Sequence, residues 1–124
     1  MIEISGIDHI VLRTTQLEAM LQFYCQVLGC QLERQSRPEV GLTQLSAGNA
    51  MIDLVTVDSS LGKAGGQAPA LTGRNLDHFC LQIKSVPELA VIEYLQFHGI
   101  GALGQRRTLY ISDPDGNRVE LVSL

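Results

Sequence analysis

Two apolar runs, Ile7-Asp8-His9-Ile10-Val11-Leu12 and Leu76-Asp77-His78-Phe79-Cys80-Leu81, each carry one histidine, and the two histidines stand sixty-nine positions apart. Their alternation predicts strands at about 5–13 and 76–84. Behind each comes a helical stripe. Leu17, Met20, Leu21, Tyr24, Val27 and Leu28 recur at three- and four-residue steps, as do Leu89, Val91, Ile92 and Leu95, which predicts helices at 16–28 and 87–98. Gly29 and Gly99 stop them, since glycine takes the left-handed position after a helix without strain. At an offset of seventy Glu18 matches Glu88, Tyr24 matches Tyr94 and Gly29 matches Gly99, so the chain is an internal repeat. Further strands are expected near 30–36, 41–46 and 50–57, and near 101–106, 107–112 and 117–123. Each half then reads βαβββ. Pro87 fits the first turn of the second helix with Ser85 as its cap, and Asp113-Pro114-Asp115-Gly116-Asn117 predicts the turn of a final hairpin.

Roughly forty residues after each histidine strand comes a strand with one carboxylate among apolar neighbours, Met51-Ile52-Asp53-Leu54-Val55 and Arg118-Val119-Glu120-Leu121-Val122. Alternation groups Ile7, His9, Val11 and Arg13 on one face, then Met51, Asp53 and Val55, then His78, Cys80 and Gln82, then Arg118, Glu120 and Val122. Ile10, Leu12, Phe79, Leu81, Ile83, Val119 and Leu121 point the other way, to pack under the helices. A lone polar group on an apolar strand costs about 2–7 kcal/mol unless it is satisfied. Two imidazoles and two carboxylates at matching offsets point to one shared partner, and a divalent metal would satisfy all four.

Composition narrows the setting. The 124 residues suit one domain built of two modules, about 1–57 and 75–124, with a Gly/Ala/Ser-rich linker over 58–74. A net charge of −4, with Arg106-Arg107 the only adjacent basic pair, argues against nucleic acid or an anionic membrane as partner. No apolar stretch reaches a membrane span, and Met1-Ile2-Glu3 lacks a signal-peptide start, so a cytoplasmic protein is expected. Cys25, Cys30 and Cys80 form no CxxC pair. The first two read as small core hydrophobes; Cys80 shares a face with His78 and is a candidate pocket residue. His98, at the end of the second helix, reads as a cap favoured by the helix dipole.

Asp8-His9-Ile10, Phe23-Tyr24, Leu28-Gly29, Asp77-His78 and Asp113-Pro114-Asp115-Gly116-Asn117-Arg118-Val119-Glu120-Leu121 together resemble the vicinal oxygen chelate superfamily over essentially the whole chain. That superfamily includes glyoxalase I, extradiol dioxygenases, fosfomycin-resistance transferases and bleomycin-binding proteins. The resemblance implies an α+β fold in which two βαβββ modules pair into a curved, half-barrel-like mixed sheet with helices on the convex side. It implies metal ligands at His9, His78 and Glu120, with Asp53 at the fourth position. There the chain departs from the glutamate frequent in glyoxalase I, and aspartate is one methylene shorter.

The chemistry implied is capture of a small substrate through two neighbouring oxygens by Ni, Zn, Mn, Co or Fe, with Asp53 and Glu120 the catalytic carboxylates. A lyase or isomerase of glyoxalase type is the leading expectation. The alternatives are a ring-cleaving dioxygenase, a fosfomycin-type thiol transferase and a metal-free drug-binding protein. The dioxygenase reading is weakened because a second-sphere histidine is wanted and only His98 is left over. Arg106, Tyr110 and Cys80 are candidate substrate contacts. The resemblance also implies a homodimer in which the first module of one chain meets the second of the other, with the sites at the subunit interface.

Overall fold

A computed structural model describes residues 1–105 and 108–123, with Gln105 by its backbone alone. Arg106, expected above as a substrate contact, lies outside the described residues. The chain is α+β and divides into two compact units, Met1–Pro69 and Ala70–Leu124.

The first unit runs β1 (His9–Thr14), α1 (Leu17–Leu21) continued by a π-helical turn (Gln22–Val27), β2 (Gln31–Gln35), β3 (Leu42–Ala47) and β4 (Ala50–Thr56). Its open sheet has the order β1-β4-β3-β2, with β1 and β4 parallel and the other pairs antiparallel. The expected strand at 5–13 begins four residues late. The pairing starts where the Met51 amide donates to the Asp8 carbonyl and His9 faces Met51, and nothing earlier has a partner strand. The π turn was not legible in the three- and four-residue steps. Its wider turn, marked by the Leu28 amide donating to the Phe23 carbonyl, brings Phe23 inward beside Met20, Tyr24 and Val27. These side chains and Leu12, Leu45, Ile52 and Leu54 make the core, with Phe23 and Tyr24 edge to face at 4.9 Å. Cys30 is buried at the helix end, and burial pushes its thiol up to about 11, as an inert core cysteine requires.

Arg13 leaves β1 to hold down the segment that follows β4. Its guanidinium donates to the carbonyls of Gly62, Gly65, Gly66 and Gln67. A Cβ on Gly65 would stand 2.3 Å from the guanidinium carbon, so a glycine permits the approach. Arg13→Ala is expected to cost about 1–2 kcal/mol in urea denaturation and to expose residues 62–67 to rapid proteolysis. Arg13→Lys should restore little, because an ammonium cannot span four acceptors. Unchanged proteolysis of the alanine variant would show that the segment holds itself.

The second unit runs β5 (Phe79–Ile83), α2 (Glu88–Phe97), β6 (Leu103–Gln105), β7 (Thr108–Ser112) and β8 (Arg118–Ser123), with sheet order β5-β8-β7-β6 and β5 parallel to β8. Leu95, Leu109, Ile111, Val119 and Leu121 form its core. Ser85 does not cap α2: Pro87 takes the N-cap position in an extended conformation, and no side chain bonds the first turn. The apolar face of α2 is only partly used, since Leu95 is buried while Leu89 is exposed. A gap of about 200 Å³ lined by Ile83, Val86, Val91, Leu109 and Leu121 accounts for the slack. The hairpin turn is tied more firmly. Asp113 Oδ1 accepts from the amides of Asp115 and Asn117, Oδ2 accepts from the Asn117 side chain, and Arg74 donates to Asn117 Oδ1 and the Asp115 carbonyl. That anchoring fixes where β8, and with it Glu120, begins.

Candidate metal centre

The parallel pairing of β1 with β4 sets Val11 opposite Asp53, and the antiparallel pairing of β3 with β4 sets Gln44 opposite the same residue. Asp53 therefore stands on an inner strand, not on a solvated edge, and is 3% exposed. Its Oδ2 accepts from Gln44 Nε2 at 3.2 Å, while Oδ1 is buried with no hydrogen-bond partner. An unsatisfied buried oxygen costs about 1–3 kcal/mol, which a cation or a proton donor would offset. His9 Nε2 lies 3.9 Å from Asp53 Oδ2.

The second unit repeats the plan. Parallel pairing puts Cys80 opposite Glu120, antiparallel pairing puts Tyr110 opposite Glu120, and His78 Nε2 lies 3.0 Å from Glu120 Oε2. The Tyr110 ring stands edge-on to the His78 imidazole at 5.6 Å. Each unit thus brings together one histidine and one carboxylate. Among the described residues no group of three or more metal-binding side chains gathers at one point.

In both units the histidine is oriented by the residue before it. Asp8 Oδ1 lies 2.6 Å from His9 Nδ1, and Asp77 Oδ2 lies 2.6 Å from His78 Nδ1. A proton on Nδ1 donated to a carboxylate leaves the Nε2 lone pair for a metal, and the carboxylate raises the basicity of the ring. The donor set fits a divalent ion. Two ligand atoms with bonds of about 2.0–2.2 Å to one metal lie roughly 3 Å apart. The His78–Glu120 pair already meets that spacing, whereas the His9–Asp53 pair stands wider at 3.9 Å. The orienting role of Asp8 and Asp77 was missed in the sequence, although the Asp-His pair occurring twice was its signal. Gln44 had none, because its place depends on register.

Without metal the same contacts hold a proton. His78 is raised above its ordinary value, first by the Asp77 hydrogen bond and further by Glu120, and His9 is raised chiefly by Asp8. The Asp77 carboxyl is lowered by the same bond to His78. A raised folded-state value contributes stability that is fully present below the unfolded histidine value, about 6.5, and is lost as pH rises through the folded value. Chelator-treated protein should therefore lose stability to urea as pH rises above about 6.5, and Asp77→Asn should flatten that slope. An unchanged slope in Asp77→Asn would remove the Asp77–His78 bond as its source.

Cys80 is exposed on β5, and burial of the thiol itself, with Glu120 beside it, raises its pKa. That favours a neutral pocket wall over a thiolate nucleophile. His98 ends α2 and packs on Tyr94 and Phe97 at 4.7 and 5.3 Å, within its own helix.

Residues 6–121 match the model of the glyoxalase/bleomycin resistance protein/dioxygenase superfamily. The chain belongs to that superfamily. Its members include metal-dependent enzymes and small-molecule binders, and individual relatives divide the same way. A catechol-2,3-dioxygenase from Bacillus subtilis is 30% identical over 96% of this chain, which spans 41% of that relative's length. A lactoylglutathione lyase from Agrobacterium tumefaciens superposes with a TM-score of 0.67 at 21% identity, covering 96% of this chain and 93% of the other. An antibiotic-binding protein from a Streptomyces species superposes with a TM-score of 0.68 at 22% identity, covering 99% and 98%. At those identities the two structures show the fold alone. No helix among the described residues is long and apolar enough to cross a membrane.

Proposed function

We propose that this superfamily member is a divalent-metal-dependent lyase or isomerase of glyoxalase type, acting on a small substrate that presents two vicinal oxygens. The observation that carries this reading is the pair of histidines, each oriented through Nδ1 by an aspartate and each facing a carboxylate through Nε2. A site with three or four protein ligands needs more than the two donors of one unit, so both pairs serve one ion. His9, His78 and Glu120 are its ligands. Nickel, zinc, manganese, cobalt and iron all suit imidazole and carboxylate donors. When bound, the metal supplies a Lewis acid that stabilises negative charge developing on the substrate oxygens.

Asp53 does the proton work. Gln44 holds its Oδ2 and fixes the plane of the carboxyl, and the carboxylate takes a proton from the carbon next to a carbonyl. The 3.9 Å gap to His9 Nε2 suits a base at the rim of the coordination sphere better than a ligand. Asp53→Asn is therefore expected to lower turnover about 100-fold or more while metal content stays near that of the parent. Activity would be followed on hemithioacetals. Equal loss of metal would make Asp53 a ligand, and unchanged turnover would remove it from the chemistry.

A second reading, ring cleavage of catechols, is favoured by the Bacillus subtilis relative. Against it, the leftover histidine, His98, packs on its own helix, and the extra carboxylate Asp53 has no evident task in oxygen chemistry. Oxygen uptake with catechol by the iron-loaded protein, absent with hemithioacetals, would favour this second reading. The assembly we propose is a homodimer in which His9 and Asp53 of one chain serve the same ion as His78 and Glu120 of the other.

A further inference from the structure

The two units match at the histidine and the carboxylate but differ at the positions flanking the carboxylate. In the first, Gln44 stands opposite Asp53 and Ser46 opposite Met51, two residues before the carboxylate. In the second, Tyr110 stands opposite Glu120 and Ser112 opposite Arg118, again two residues before. Serine repeats as serine. A neutral thioether in one unit is replaced by a permanent cation in the other, and an amide by a phenol ring. Arg118 shares the Glu120 face by alternation, and its guanidinium carbon lies 5.6 Å from the centre of the Tyr110 ring.

Arg118 is exposed, and none of its N–H groups donates to an acceptor, nor does it pair with a carboxylate within 4 Å, among the described residues. Of the acidic neighbours, Asp77 binds His78 Nδ1 and also feels the charge of Arg118 from beyond ion-pair distance, while Glu120 faces His78 Nε2. Beside it opens a cleft of about 260 Å³ lined by Gly99, Ile100, Leu103, Tyr110, Ser112 and Arg118. Its floor combines one fork of five N–H donors, an aromatic ring and a hydroxyl with the aliphatic walls of Ile100 and Leu103. That is the chemistry of a receptor for a planar anion on a short carbon frame.

We propose that Arg118, backed by Tyr110 and Ser112, is an anion-receiving subsite, and that the substrate carries a carboxylate or phosphonate in addition to its chelating oxygens. The inference rests on the metal-chelate reading above and deepens it. Arg118 stands two residues before Glu120 on the same strand face, so an anion held there sits beside the chelated oxygens as a substituent of the same small molecule. With Met51 at the matching position of the first unit, Arg118 also gives an unsymmetrical substrate a preferred orientation, its anionic end beside His78 and Glu120.

The test uses full-length zinc-loaded protein and three chelators that share vicinal hydroxyls: catechol, 3,4-dihydroxybenzoate and 3,4-dihydroxyphenylphosphonate. Calorimetry measures each affinity with the metal present and after chelator treatment. At least one anionic chelator should bind about tenfold or more tightly than catechol, and which of the two does so separates carboxylate from phosphonate. Arg118→Met, which copies the first unit, should erase that ratio, and Arg118→Lys should restore part of it, with metal content and circular dichroism as checks on site and fold. Equal affinities in the parent, or a ratio that survives Arg118→Met, would overturn the subsite while leaving metal-dependent catechol binding intact. Failure of all three chelators to bind better with metal than without it would sink the chelate reading itself, and the subsite with it.

Discussion

His9→Ala, His78→Ala and Glu120→Ala should each strip the protein of most of its metal, lowering affinity by more than about 100-fold. The scale follows from metal chemistry: disturbing a group that merely orients a ligand costs about 10–100-fold, and deleting a donor atom costs more. The fold should survive. His9 is exposed and Glu120 only partly buried, and the cores of both units are built from the opposite strand faces. Removing either histidine also releases its partner carboxylate from a contact that matters only to the protonated ring, so urea midpoints should move little once pH exceeds the raised histidine values. The measurement is metal per chain by plasma spectrometry after dialysis against a weak chelator. Full occupancy in any of the three variants would take that residue out of the site. Asp8→Asn and Asp77→Asn are graded controls, since an amide still accepts the Nδ1 proton but no longer strengthens the imidazole as a donor.

Most of the architecture was legible because its signals are local and occur twice. Strand alternation, the helical stripe and a glycine at each helix end fixed the βαβββ order, and Gly29 and Gly99 do take positive φ, 79° and 76°. What escaped depends on partners far along the chain. Whether Asp53 lay on an edge or an inner strand could not be read from Met51-Ile52-Asp53-Leu54-Val55, since alternation says which face a side chain takes and nothing about what lies beside the strand. The parallel β1·β4 pairing decides it, and the same pairing explains why the first strand starts at His9. The π turn in the first helix and the half-used face of the second escaped for a related reason: a stripe of apolar residues offers burial, and the opposing sheet determines how much is taken. The four candidate residues of the proposed site, His9, Asp53, His78 and Glu120, stood out because each is a polar residue on an apolar strand. Alternation put Arg118 on the Glu120 face, but its counterpart became visible only with the register, in which Arg118 stands opposite Ser112 as Met51 stands opposite Ser46. The shorter carboxylate of the two is also the one farther from its histidine, 3.9 Å against 3.0 Å.

Mixing inactive His9→Ala and His78→Ala chains should restore activity. The proposed dimer draws each site from the first unit of one chain and the second unit of its partner, a two-fold arrangement in which both sites are equivalent. In a heterodimer of the two variants one site then lacks both histidines and the other has all four groups. Random exchange at equal amounts makes half the dimers mixed, each with one intact site of two, so about a quarter of the parent activity and of its tightly bound metal should return. Neither variant alone can do this, whatever its concentration. The physical reason to expect a second chain is the sheets themselves: each is open, with edge strands at β1 and β2 or at β5 and β6, and Ile7, Val11 and Leu32 leave apolar surface in water. Exchange must be verified independently, by mixing chains carrying two different tags and recovering both in one complex. If tagged heterodimers form and neither activity nor metal returns, the four groups of each site come from a single chain and the shared-site dimer is wrong.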